Sequence, residues 1–383
     1  MDTLKELLIN TMPKYREKNE FLRYLYSEEF DILIEPMIIH FKNNAIFDDF
    51  NGKLQVHGRG SSRVEYKSLA KWLLDRSLLV GTSAVDELEA YINCKTFSAF
   101  NVLWLSNIQI DGTHKVGSKT YISSIKNLPN RKILKMLDKE GRELFDWVKP
   151  SSILMEEVVH TKNHYDQSKQ SLDHFDFDLF SNSRLEVFRL LFSFHKRKSM
   201  QSIGFTTLFP DSIPDFNGIS TSNGDIRNPD VVCEISGKDS IAVGKLYDSF
   251  INLSDKTQSK LIYVLRKINY YYSTYEIVER ASQIRTLLEM LVLDDNPNGE
   301  LVFNLSHRLA RYFGEDKAER QDIVRITKKM YNIGSKAIHE GYLPEKKNQE
   351  FHECKQIIMT YIHRLVSDLL SGKQINWRDI LIK

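Results

Sequence analysis

Cysteine is almost missing from this chain. Its 383 residues include three, Cys94, Cys233 and Cys354, far apart and odd in number. That argues against a disulfide framework or a cysteine-based zinc site and fits a reducing cytoplasm. Long apolar runs are missing too. No window approaches the roughly 18 uninterrupted apolar residues of a membrane helix. Residues 1–30 are charged and amphipathic, unlike a signal peptide. Nor does one sign of charge dominate: Lys+Arg 53 against Asp+Glu 51 leaves +2. No global field advertises nucleic acid, so an RNA surface would have to be a local patch. There is no internal repeat and no low-complexity tract. These absences lead us to expect a cytoplasmic protein with no membrane partner, no cofactor and no metal.

What is present suits full-sized cores: 42% of residues are hydrophobic, over a length that suggests two domains or three. Leu4, Leu7 and Leu8, then Phe21, Leu22 and Leu25, are spaced for short helices broken near Pro13. The apolar run 31–41 reads as a short strand. Ser83 and Asp86 form a capping-box pattern ahead of Leu88, Tyr91 and Ile92. Residues 101–110 and 119–123 read as strands about a turn at Asp111 and Gly112, and 131–147 as a helix. A polar stretch, 160–180, reads as a linker. Ser183 and Glu186 make a second capping-box pattern, opening a helix with Leu185, Phe188, Leu191 and Phe192. It ends in His195, Lys196, Arg197 and Lys198, where positive charge suits the helix dipole; a nucleic-acid backbone contact is the sharper alternative. Residues 204–236 are rich in Pro, Gly, Asn and Asp, with a strand expected at 231–235.

From Asp255 the period becomes helical and stays so to about Leu370. Leu261, Val264, Leu265, Ile268, Tyr271 and Tyr272 keep three–four spacing, and the pattern can continue through Ile284, Leu287, Leu288 and Leu291. Further helices are marked by Leu305, Leu309 and Phe313, by Ile323, Ile326 and Met330, and by Ile357, Ile358, Tyr361, Leu365 and Leu369. Helices joined by short turns favour a bundle. The expected fold is therefore α+β: a mixed α/β region over 1–250, with a sub-boundary near 160–182, then an all-α bundle over 251–383.

Three features of the bundle carry chemistry. Leu288 and Glu289 place a carboxylate in an apolar helix, Arg308 and Arg311 lie on a later one, and Tyr331 to Gly341 puts His339 one turn after Lys336. Their order and spacing resemble the HEPN domain, an RNA-cleaving or RNA-binding helical bundle, and most of all its Apea-like branch. The resemblance covers about a third of the chain, roughly 255–371. It implies a homodimer with RNA as the target. It also implies a place in antiphage defence of the abortive-infection type, where the N-terminal region senses a phage or host trigger and the bundle acts on RNA.

In the family a His moves a proton to or from the ribose hydroxyl or leaving oxygen, while an upstream Arg holds the phosphate. That Arg would fall at Asn332, Ile333 or Gly334, and none of these is Arg. Lys336 offers a point charge in its place but lacks the planar fork. By resemblance, the candidate site comprises His339 as acid or base, Lys336 on phosphate, Asn332 beside them, and Glu289 oriented by Arg308 or Arg311. Arg325 is a further possible substitute. The competing reading is a non-catalytic dimerisation module, with His339 merely closing a helix before Gly341 and Glu289 a satisfied structural carboxylate.

Other motifs are weak. Glu65, Tyr66 and Lys67 have the Glu-x-Lys form of a metal-dependent nuclease with Asp48 and Asp49 upstream, a pattern that chance often produces. His57 to Gly60 lacks the Lys-Ser/Thr of a phosphate loop, and His160, His164 and His174 match no zinc spacing. The run Tyr270 to Tyr272 suits base stacking, yet at helical spacing it reads first as core or interface.

Overall fold

Leu4, Leu8, Met12 and Tyr15 form one buried stripe along α1 (Asp2–Lys18). The stripe runs straight past Pro13, so the expected break is not there. Proline removes one amide donor, and continuous burial on both sides outweighs that loss. The computed structural model describes residues 1–18, 28–57, 60–128, 150–162, 164–165, 184–214, 232–293 and 301–382. The helix expected over 131–147 and most of the 160–180 linker lie outside the described residues, as do Phe21, Leu22, Leu25 and Ser183.

The run expected as a strand is helical, within α2 (Glu28–Lys42). Phe30, Ile34, Met37 and Phe41 are buried while Ile32 and Ile39 are exposed, a period of three and four that overrides the look of a continuous apolar run. A 3₁₀ turn at Ala45–Phe50, α3 (Tyr66–Val80) and α4 (Ser83–Asn93) complete this cluster around Phe47, Leu69, Leu73, Leu88 and Tyr91. The capping box at Ser83 does not form. Thr82 is the N-cap, without a side-chain bond, and Asp86 instead holds Lys5 at 2.6 Å.

Strands β1 (Leu54–His57) and β2 (Gly60–Arg63) make a hairpin. The main sheet follows: β3 (Thr96–Ser106), β4 (Ile108–Ile110), β5 (Thr113–Lys115), β6 (Thr120–Ser124), β7 (Ser152–Thr161), β8 (His164–Tyr165), α5 (Arg184–Lys196) and β9 (Gln201–Leu208) come in that order. Five strands pair antiparallel as β5-β6-β7-β3-β9, while β8 joins the β1 hairpin. Gly112 takes φ 73° at the turn before β5. Alternation along β3 sends Val102 and Trp104 to one face, packed with Ile153 and Ile203, and Leu103 and Leu105 to the other. The second face shares a core with α5 and the C-terminal helices. Glu186 is buried and paired twice with Arg189, at 2.7 and 2.8 Å.

The short β10 (Cys233–Ile235) pairs parallel with β4 and feeds α6 (Gly237–Ile251). A capping box does form here, between Ser236 and Asp239. The bundle comprises α7 (Asp255–Ser273), α8 (Ile277–Val292), α9 (Leu301–Phe313), α10 (Lys317–Glu340), α11 (Glu345–Leu370) and α12 (Trp377–Ile382). The single helix allowed from Leu261 to Leu291 is interrupted: Thr274 caps α7, and both it and Tyr270 donate to Glu279, at 2.7 and 2.9 Å. The fold is α+β, as expected. Across residue 250, α5 packs on both α6 and α7.

Candidate functional site on α10

Ile323, Thr327, Met330, Ile333, Gly334 and Ala337 bury one side of α10. The opposite side carries Arg325, Lys328, Asn332, Lys336 and His339, because steps of three and four residues return to the same face. From Arg325 to His339 this stripe spans about 21 Å at roughly 1.5 Å per residue. Asn332 and His339 are exposed and Lys336 is half-buried. Lys336 reaches Glu340 at 3.3 Å and lies 5.7 Å over the Tyr342 ring. Gly341 then ends the helix in the left-handed conformation, its amide donating to Ala337. Arg325 is held by Asp322 at 3.0 Å.

Glu289 is not part of that face and is not oriented by Arg308 or Arg311. Its carboxylate accepts from Arg285 Nε at 2.8 Å and from the Tyr331 hydroxyl at 2.7 Å, and the Arg285 guanidinium lies 4.8 Å over the Tyr331 ring. The i,i+4 spacing of Arg285 and Glu289 makes the ion pair local to α8, so no cation from another helix is needed. Burial, and then the Glu289 carboxylate, push the Tyr331 phenol above its ordinary range. Arg308 is buried and donates to the Val292 carbonyl at 2.7 Å, satisfying the last turn of α8. Trp377 does the same for Leu291 at 2.9 Å.

Gly334 is explained by packing. A β-carbon there would stand 2.6 Å from Arg285 Cβ and 2.8 Å from the Ala281 carbonyl oxygen. The side chain that the resemblance would place here cannot enter while α8 and α10 stay in contact.

Arg311 is exposed near the end of α9 and belongs to a patch that sequence reading missed. His307, one turn before it, is held below its ordinary pKa by burial first and then by the charges of Lys328 and Arg311. Its ring lies 4.1 Å from the exposed Phe303 ring. The available signal was the i,i+4 run of Phe303, His307 and Arg311 on one helix face. Arg311 thus lies on α9, the helix packed beside α10, whereas Arg308 is buried and the Glu289 carboxylate is turned to Arg285 and Tyr331.

The weak motifs separate. Lys67 pairs with Asp31 and Lys53 with Asp49, so the Glu-x-Lys lysine is not gathered with Asp48, Asp49 and Glu65. No group of three metal-ligating side chains occurs among the described residues. The His160 ring packs 5.2 Å from both Phe97 and Phe209. Tyr271 is buried, and Tyr272 bonds His363 at 2.8 Å, so these rings serve the interior. No described helix is long and apolar enough to cross a membrane.

Fold and site together define an α+β protein with a basic, aromatic-edged face on a helical bundle. The sequence matches no family model, no curated protein and no solved structure.

Proposed function

We propose that this protein is a conditional RNA-directed effector of prokaryotic antiphage defence, working in the cytoplasm through a HEPN-like bundle that acts as a homodimer. The observation that carries the reading is the face shared by Lys328, Asn332, Lys336 and His339, with Asn332 and His339 exposed and with Phe303, His307 and Arg311 along one face of the neighbouring α9. Cations spaced along a helix neutralise backbone phosphates, and an exposed aromatic pair offers a platform for an unstacked base. His339 stands one turn from a cation, a position from which an imidazole moves a proton beside a phosphate. The N-terminal region takes the trigger, a phage or host component.

A second reading, a non-catalytic dimerisation module, is favoured by two observations. The close packing at Gly334 excludes a guanidinium from that point, and Lys336 is shared with Glu340. Purified protein incubated with total cellular RNA in EDTA, beside His339→Ala, separates the two. Cleavage by the parent protein alone supports metal-independent catalysis. RNA retention without cleavage supports a binding effector. Neither binding nor cleavage, with a dimer present by sedimentation, leaves the dimerisation module.

A further inference from the structure

A cleft of about 410 Å³ opens between the end of α5, α6 and α11, far in sequence from His339. Its size falls within the roughly 300–1,000 Å³ range of small-molecule sites. Arg197 lines it from the end of α5 and Arg364 from α11, its guanidinium 5.6 Å over the Phe313 ring, with Ser367 one turn further on. No acidic residue is among the described side chains that line it. Two arginines facing one cleft repel each other unless an anion lies between them.

The backbone at Arg197 is a second, independent observation. The Arg197 amide donates to Phe194 and the Lys198 amide to Ser193, at 3.4 and 3.3 Å, which is the paired pattern of a Schellman helix end. The residue at its turning point adopts φ 53°. Glycine normally takes that position, because a β-carbon there is strained. Here an arginine occupies it, and that arginine lines the cleft. Strain held at a lining residue is characteristic of ligand sites.

The wall is apolar and stiff. Phe194 stacks on His363, ring centroids 4.7 Å apart and planes at 14°, and the Tyr272 hydroxyl ties His363 in place at 2.8 Å. Leu246 completes that side.

We infer that this cleft binds a small phosphate monoester with a flat apolar body, of nucleoside monophosphate size. Arg197 and Arg364 clamp the phosphoryl oxygens, matching its two negative charges, while Phe194 and Leu246 take the body. The inference does not rest on the RNA reading of α10.

Calorimetric titration of the full-length protein with the four nucleoside 5′-monophosphates, adenosine and inorganic phosphate tests it. At least one monophosphate is expected to saturate one site per chain and to outcompete adenosine and phosphate. Arg197→Gly, which suits the left-handed backbone and so retains the fold, and Arg364→Gln are each expected to weaken it at least tenfold. His339→Ala is expected to leave it unchanged. No saturable binding of any monophosphate overturns the inference, as does binding that survives both arginine variants. Inorganic phosphate binding as tightly as the monophosphates, or an effect of these arginines on single-stranded RNA alone, overturns it as well.

Discussion

Gly334 and Arg285 meet where α10 crosses α8, so closely that a β-carbon on the glycine would stand 2.6 Å from that of the arginine. The contact sets how near the two helices lie, and it holds the Arg285 guanidinium over the Tyr331 ring. Gly334→Ala improves intrinsic helix propensity by about 1 kcal/mol but forces the helices apart. Overpacking costs about 1–3 kcal/mol and opposes that gain. A net loss of stability in urea is expected, with the larger Gly334→Arg failing to unfold as one cooperative unit. A more stable Gly334→Ala protein would show that the crossing tolerates a wider spacing.

The α10 stripe predicts salt-dependent RNA affinity. Lys328→Ala and Lys336→Ala should each weaken single-stranded RNA binding and lower the slope of log affinity against log salt by about 0.7. The double variant should keep the melting temperature of the parent, because surface changes of this kind stay within about 0.5 kcal/mol. Fluorescence anisotropy over a salt series measures it. Unchanged slopes would remove this face from RNA contact.

Phe303→Ala separates stacking from charge. Loss of a base–aromatic contact is expected to cost about 1–3 kcal/mol of RNA affinity while leaving the salt slope of the parent protein. The same titration measures it, and a changed slope with unchanged affinity at low salt would contradict a stacking role.

Much of the bundle was legible because its helices bury regular stripes: Leu305, Leu309 and Phe313, or Ile323 and Met330, announce their faces without help from distant residues. The errors fell where two patterns fit one stretch. Residues 31–41 are apolar enough for a buried strand, and only the exposure of Ile32 and Ile39 separates that from a helix. Pro13 reads as a stop, yet the stripe through Met12 and Tyr15 continues past it. At the site, Lys328 was not singled out, while the shared face of Lys336 and His339 followed from their spacing. The partner of Glu289 did not, since Arg285, Arg308 and Arg311 all lie within plausible helical reach and only packing selects among them. The Arg197 cleft was beyond reach, because α5 and α11 are brought together by the fold and a positive φ at a non-glycine residue leaves no mark in sequence.

His363 predicts an acid-sensitive fold. Burial first, then the nearby Arg197 charge, lowers its pKa from 6.5 to about 4. The unfolded chain therefore takes up a proton near pH 6.5 that the folded chain refuses until about pH 4. Stability from this residue is present above the unfolded value and is lost as pH falls through that window, by about 3 kcal/mol at most. Urea unfolding at pH 7.5 and pH 4.5, compared with His363→Gln, isolates the effect from titrating carboxylates. A variant with the pH dependence of the parent protein would exclude it.

Glu289→Ala tests whether that carboxylate supports the fold or takes part in RNA chemistry. Glu289 accepts from both Arg285 and Tyr331, and its side chain keeps 33% exposure, so water can replace part of what is lost. Truncation leaves a guanidinium and a phenol between α8 and α10 without their acceptor, for an expected loss of about 1–2 kcal/mol. Because Tyr331 shares the acceptor, Glu289→Ala combined with Tyr331→Phe should cost less than the sum of the two, with a coupling of about 1 kcal/mol. RNA affinity along Lys328, Lys336 and His339 should stay at the parent value, since the carboxylate is engaged by Arg285 and Tyr331 and bonds none of those three. Loss of RNA binding or cleavage in a Glu289→Ala protein of undiminished stability would assign Glu289 to the chemistry instead.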